Sequence, residues 1–461
     1  MLLFIFSSIT PIVFSNNIKT SDKNNPSLTS YNFKESIDSS KIIESWIEPN
    51  DGYILFNPEY GFFTYLINSK GRVVHKWRSR YTQSLPVHLL ENGNLIRSSG
   101  KVLDSRIWLG GSGGRIEIFN WDGDLLWTFN YMNDTHCLHN DIEPLPNGNI
   151  LMIVWEKISI DDLIEAGINP DDPFLEEFGG LLFDAIIEVK PIGSDDFEIV
   201  WEWHLFDHLI QDFDPTKDNY GVVAEHPELV DINVDRLKVD VAHLNSIDYV
   251  EEFDQLLVSS RNLGEILILD HSTTTEEAAG HTGGNYSKGG DLLYRWGNPR
   301  SYDMGDVDDQ ILYGQHDPRW ISKDVYGEVH ITIFNNGFNR PEEEYSTVIE
   351  IIPPVDSNGN YTKVPDEPYG PEDPIWTYQS NNPFTNSRLT SSAQRLPNGN
   401  TLICAGINGF FYEVTPEKKV DWRYFNFRPL PIPGINMVFK TEFYKNDYPG
   451  IGNLSIDPTY K

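Results

Sequence analysis

The chain has 461 residues, 39% of them apolar and 13% aromatic, enough to bury a large core, which excludes wholesale disorder. Its 35 Lys and Arg against 69 Asp and Glu leave a formal charge of −34, a poor surface for nucleic acid or anionic membrane because phosphates are repelled at long range. A small anionic substrate would need a local cationic pocket set against that field.

Residues 1–15 open on MLLFIFSSITPIVF, an apolar run of signal-peptide length and shorter than a membrane span. The expectation is export to an extracytoplasmic compartment, with no stable membrane insertion once the run is removed. Residues 16–48, rich in Asn, Ser, Lys and Asp, read as a linker. Everything from 49 to 461 is expected to form one all-β domain.

The reason is a repeat. A PNGN or ENGN turn is followed by an alternating apolar strand and then by a strand ending in Trp, and Asn-Gly between alternating runs is a strong hairpin signal whose primed turns need positive φ. Residues 52–78 supply about three strands. Full copies follow: LPVHLLENGNLIRSS with RIEIFNWDGDLLWTF, HNDIEPLPNGNILMIV with AIIEVK and FEIVWEW, HLNSIDY through LLVSS to LLYRWGNP, QHDPRW through PIWTY, and SSAQRLPNGNTLICAG with FFYEVTP. Five complete units and a partial one predict a six-bladed β-propeller whose last blade borrows a C-terminal strand, which removes exposed edges. Insertions at 156–182, 204–242, 271–290 and 353–374 fall between strands, with 158–168 as the best helix candidate. Trp77, Trp127, Trp201, Trp296, Trp376 and Trp422 recur at one place in each unit, which predicts packing between neighbouring blades. The two cysteines, Cys137 and Cys404, read equally as free buried thiols or one long-range disulfide.

His139, His243 and His316 head the first strand of three successive units. First strands line a propeller channel, so these imidazoles are expected to converge. Arg261 closes the strand that begins near His243 and brings a guanidinium suited to an oxyanion. Asn245, two residues beyond His243, is expected on the same strand face. Thr390, Ser391 and Ser392 stand at the equivalent place in the last unit, and Ser84 in an earlier one. This pattern predicts an oxyanion site with a histidine nucleophile or acid/base.

The segments HNDIEPLPNGNIL, HLNSIDY with LVSSR, GQHDPRW and SSAQRLPNGNTLICAG with FFYEVTP resemble the arylsulfotransferases over roughly residues 50–450. The resemblance implies a six-bladed propeller that moves a sulfuryl group from a phenolic sulfate donor to a phenolic acceptor, with no 3′-phosphoadenosine donor, no other cofactor and no metal. It implies His316 as the nucleophile that becomes sulfated, His139 and His243 as acid/base and sulfuryl-oxygen donors, and Asn245 and Arg261 as oxyanion holders. Two other readings stay open: a non-catalytic ligand- or protein-binding propeller, and a metal-dependent hydrolase using His136, His139, Asp141, His243 and His316. The natural substrates and the oligomeric state are not read from the sequence.

Overall fold

A computed structural model describes residues 52–100, 107, 109–234, 239–321, 323, 327–341, 343–430 and 434–452. The expected signal segment and linker lie outside the described residues. The remainder builds six four-stranded antiparallel sheets, a six-bladed β-propeller. Blade one is closed as the repeat count requires: the late strand Val438–Lys445 pairs antiparallel with Gly52–Pro58, in the register Tyr53↔Tyr444 and Leu55↔Glu442. The first and last strands of the repeat array are thereby joined in one sheet, and Gly52–Pro58 is not left as an open edge.

The middle strands explain why the repeat reads as apolar runs. Gln255–Ser260 and Glu265–Asp270 are buried at every position, since each sheet is covered on both faces by its neighbours. The repeated tryptophans sit on the outermost strands, and each indole N–H reaches the next blade. Trp77 donates to the Asn120 carbonyl, Trp127 to Asp196, Trp201 to the Thr273 hydroxyl, Trp296 to Pro371, Trp376 to Pro416 and Trp422 to Ser69, at 2.7–3.1 Å. The last of these runs from blade six to blade one, so the polar end of every aromatic wedge is satisfied around the whole ring.

The Asn-Gly turns differ from expectation in type. Only the glycine takes positive φ (Gly93 84°, Gly148 87°, Gly399 87°), and each loop carries paired bonds such as Gly93 N–H to Leu90 O and Leu90 N–H to Asn94 O. These are three-residue loops, a type I turn ending in a left-handed bulge residue, not two-residue primed turns. The asparagine acts through its side chain instead: Asn92, Asn147 and Asn398 each accept from the N–H two residues on, at 2.8–2.9 Å. Within the first insertion the helix spans Ile160–Glu165, N-capped by Ser159.

The innermost strands are not regular. Register shifts interrupt Gln83/Val87, Leu138/Ile142, Leu244/Ser246 and His316/Arg319. Left-handed residues stand beside them at Asn140, His243, Asp317, Thr390 and Ser391, with φ from 50° to 95°. An extra residue in one strand re-aims the side chains around it, and here this happens at the channel mouth of blade after blade. Past the bulges the same strands fill the channel with paired charges. Arg319 forks onto Glu442 with two bonds of 2.7 Å and donates to Asp317 at 2.7 Å, while Lys440 lies 3.0 Å from Asp141. Asp248 accepts from the Trp320 N–H at 2.8 Å and Asp317 from the Ala393 N–H at 3.1 Å. The plug therefore ties together blades one, three, four, five and six.

Candidate active site

The three sequence motifs interlock at the channel mouth. Gln315 donates to the Ser259 hydroxyl and to the carbonyls of Ser260 and Glu265 at 2.8–3.1 Å, and its own carbonyl accepts from Asn245 at 2.7 Å. The Asp317 N–H donates to the Ser246 hydroxyl oxygen at 2.9 Å, and the Arg261 N–H donates to the His243 carbonyl at 3.1 Å. Both neighbours of His316 are thus anchored to blade four.

The tautomer of His316 follows from its partners. The Asn336 amide nitrogen donates to the carbonyls of Ser387 and Thr390 at 2.7 and 2.8 Å, which fixes its oxygen toward His316. His316 Nδ1 faces that oxygen at 2.7 Å and the Gly314 carbonyl at 3.0 Å. Two acceptors require Nδ1 to carry the proton, so Nε2 holds the lone pair. Burial first, then the charge of Arg261, push the His316 pKa down to about 3, with His243 adding to the effect. The ring is a neutral base at any ordinary pH.

His243 has the complementary arrangement. Its Nδ1 lies 2.5 Å from Asp240 Oδ2, and the other Asp240 oxygen accepts from the Trp155 indole at 3.1 Å. Burial lowers the His243 pKa while Asp240 raises it, and the net direction is down. Asp240 is ionised: although burial opposes charge, His243 and its hydrogen bond hold the carboxyl below the usual range. The adjacent Asp184 moves the other way, raised well above normal by burial and by the Asp240 charge. The pKa values of two neighbouring carboxyls are driven in opposite directions in this way.

Arg261 carries the cation expected of it. Its guanidinium is directed over the Phe338 ring at 5.0 Å and donates to Asn262 Oδ1 at 3.2 Å. Among the described residues no carboxylate lies within ion-pair reach of it. A half-buried cation with no carboxylate in contact is costly, and desolvation lowers its pKa while the more distant Asp240 charge opposes the shift. An incoming oxyanion would relieve the cost.

The other sequence-predicted residues are placed less directly. His139 is fully enclosed, stacked on Trp155 at a centroid separation of 3.8 Å, with its ring centre 6.0 Å from that of His243. Its Nδ1 accepts from the Asn140 amide at 3.0 Å, and its Nε2 is 2.9 Å from Asp184 but too oblique for a hydrogen bond. It supports His243 from beneath. Asn245 occupies the bulge and is fully buried, its amide given to the Gln315 carbonyl, so strand alternation does not carry it to the same face as His243. Ser391 is committed, its hydroxyl accepting from the Gly406 N–H at 3.0 Å. The Thr390 hydroxyl has no partner among the described residues, while its carbonyl receives the Asn336 amide. Ser392 bonds across to Thr441 at 3.4 Å.

Four participants were missed by sequence reasoning. Asp240 lies in an insertion with only its spacing from His243 to mark it; Trp155 sits on the strand Ile150–Ile158 and Asn336 just past the strand His330–Asn335. Asn140 follows His139 directly and bridges toward His243 Nε2 at 3.3 Å and the Leu244 carbonyl at 3.0 Å. Gly111 makes that possible, since a Cβ there would stand 2.1 Å from the Asn140 oxygen at a φ of 95°. The hydrolase set of His136, His139, Asp141, His243 and His316 does not gather within ligand distance among the described residues. Asp141 is paired with Lys440, and His136 stacks on Tyr131.

The sequence profile of the arylsulfotransferases matches residues 50–426. The chain belongs to the arylsulfotransferase family. That membership supports aryl sulfotransferase activity on small phenolic molecules. No curated relative matches the chain. Among solved structures it is similar to a protein of unknown function from Bacteroides caccae (11% identity, 85% of this chain and 98% of that one, TM-score 0.45). It is also similar to a putative 6-phosphogluconolactonase from Bacteroides fragilis (10%, 87% and 100%, 0.41) and to a virginiamycin B lyase from Staphylococcus aureus (9%, 84% and 88%, 0.37). No helix among the described residues is long and apolar enough to cross a membrane.

Proposed function

We propose that this arylsulfotransferase family member transfers a sulfuryl group between phenols through a sulfohistidine at His316, without a 3′-phosphoadenosine donor. The observation that carries the reading is the fixed tautomer of His316: a neutral ring with its lone pair on Nε2, electrostatically coupled to a guanidinium that has no carboxylate in ion-pair contact among the described residues.

In the first step Nε2 attacks sulfur, an N–S bond forms, and the S–O bond to the aryl group breaks with its electron pair leaving on the phenolate. In the second, the acceptor phenol oxygen attacks sulfur, the N–S bond breaks, and the phenol proton passes to His243 Nε2. The Asp240 carboxylate stabilises the resulting imidazolium, as in other acid–histidine pairs. Arg261, with the Thr390 hydroxyl, faces the charge that spreads over the peripheral sulfuryl oxygens in a loose transition state. His139, Asn140 and Trp155 are positioning residues that hold His243 and Asp240. Two transfers through one nitrogen give ping-pong kinetics.

Intact-mass measurement after 4-nitrophenyl sulfate is added without acceptor tests the reading. One added sulfuryl group localised to His316, and absent from His316→Asn, is the expected result. An unmodified wild-type chain that still releases nitrophenol would sink the covalent step, and a chain with no turnover at all would favour a binding propeller.

The chain is expected to act after export. The apolar run at 1–15 motivates that placement, and N-terminal sequencing of secreted material from an export-competent host checks it.

A further inference from the structure

Two long insertions meet on the outermost strands of blades three and four, whereas the channel histidines stand on or beside innermost strands. His208 follows the strand Asp196–His204 and the short turn Leu205–Asp207. His281 comes after the helix Thr275–Ala278, and Asp291 just before the strand Tyr294–Trp296.

His208 is fully buried, and its Nε2 lies 2.8 Å from the Ala278 carbonyl. A carbonyl only accepts, so Nε2 carries a proton and Nδ1 is the atom turned toward Asp291. His208 Nδ1 faces Asp291 Oδ1 at 2.9 Å, and His281 Nδ1 converges on the same oxygen at 2.8 Å. The three ligand atoms lie within 4.8 Å of one another, close enough for one ion to bridge them.

We propose that His208, His281 and Asp291 bind a divalent transition-metal ion of the zinc type, which clips the two insertions together. Two imidazoles and a carboxylate form a donor set for such an ion, with a position left for water. The bond from His208 Nε2–H to a backbone carbonyl is the outer contact that fixes the tautomer and rotation of a metal-bound imidazole. Trp203 stacks on the ring at an interplanar angle of 4°. Gly290 allows the chains to approach this closely, since a Cβ there would lie 2.0 Å from the Ala278 carbonyl oxygen and 2.5 Å from His208 Nε2. The nitrogen–oxygen separations are shorter than the ~3.3 Å edge of a tetrahedron built on ~2.0–2.1 Å bonds. His281, with 60% of its side chain exposed, has room to open its own separation from Asp291.

The clip sits at the base of the segment that delivers Asp240. The pair Leu209–Ile210 and Val230–Asp231 begins one residue after His208, and the Leu292 N–H, next to Asp291, donates to the Glu228 carbonyl at 2.9 Å. The role is structural and independent of the chemistry at His316.

The test is titration of chelator-stripped full-length protein with Co2+, followed by displacement with Zn2+. The expected result is one equivalent of Co2+ with the visible absorption of a nitrogen and oxygen ligand set, a melting temperature that rises with free Zn2+, and affinity weakened at least tenfold in His281→Ala and in Asp291→Asn. His281→Ala keeps the metal-free melting temperature of the parent because its ring is mostly in solvent. The proposal falls if no stoichiometric ion binds, if both variants bind unchanged, or if imidazole nitrogen shifts show His208 doubly protonated at neutral pH in protein that takes up no metal.

Discussion

Replacing Arg261 by Met removes a cation whose side-chain contacts among the described residues are the Phe338 ring and one bond to Asn262. The structure sets the expected size of the effect. Loss of a ~0.5–2 kcal/mol cation–π contact and a ~1 kcal/mol hydrogen bond is offset by relief of a half-buried charge with no carboxylate in contact among the described residues. No buried carboxylate is orphaned, because none lies within ion-pair distance among the described residues, so the net stability change is expected to stay below about 2 kcal/mol. The transition state, by contrast, loses a donor aimed at developing charge, which costs about 2.7–4 kcal/mol, or roughly 100- to 1,000-fold in rate. Single-turnover nitrophenol release, with a thermal melt on the same sample, separates the two quantities. Removing Arg261 also lifts a charge that depresses His316, so the acid limb of the rate profile is expected to move upward in pH. A folded Arg261→Met protein that keeps more than a tenth of the wild-type rate would refute the oxyanion role.

Because His316 titrates at about 3, it is deprotonated throughout the range above that value, and lowering its pKa extends the active form toward acid. The donor half-reaction, quenched into alkali to read nitrophenol, is therefore expected to show no nucleophile-linked fall near pH 6.5; a limb there that disappears in a His316 variant would contradict the assignment. Lys440→Met strands Asp141 in the channel plug without its partner at 3.0 Å, and a loss of about 3–5 kcal/mol is expected in chemical denaturation; a change below about 1 kcal/mol would show that the plug does not hold the blades. Cys137 and Cys404 are both free and buried, and burial raises the Cys404 pKa well above normal. Thiol titration is expected to find no reactive group in native protein and two after denaturation, with a single disulfide as the contrary result.

Much of the ring was legible because the repeat encodes it locally. The six tryptophans, the glycines at the turns and the alternating strands each act over a few residues, so their periodicity reports blade number and even the missing strand that Val438–Lys445 supplies. The candidate site was legible only in part. His243, His316 and Arg261 were named from their positions at the heads and ends of inner strands, and the fold makes them electrostatic neighbours. Asn245 was placed by strand alternation, which fails where Leu244 and Ser246 straddle a bulge, and His139 was named correctly as an inner-strand residue but lies enclosed beneath His243. Asp240, Trp155 and Asn336 carry no periodic signal, since what selects them is a partner far along the chain.

Composition and repeat spacing, read from the sequence alone, determined a closed all-β ring and the residue types that meet at its mouth. Only the tertiary structure decided which nitrogen of His316 is free, that the Asp184 and Asp240 pKa values are driven in opposite directions, and that Arg261 has no carboxylate in ion-pair contact among the described residues. The physical reason is range: turn and strand preferences are settled between neighbours in sequence. Protonation and hydrogen-bond direction are settled by groups dozens of residues away, brought within about 3 Å by folding.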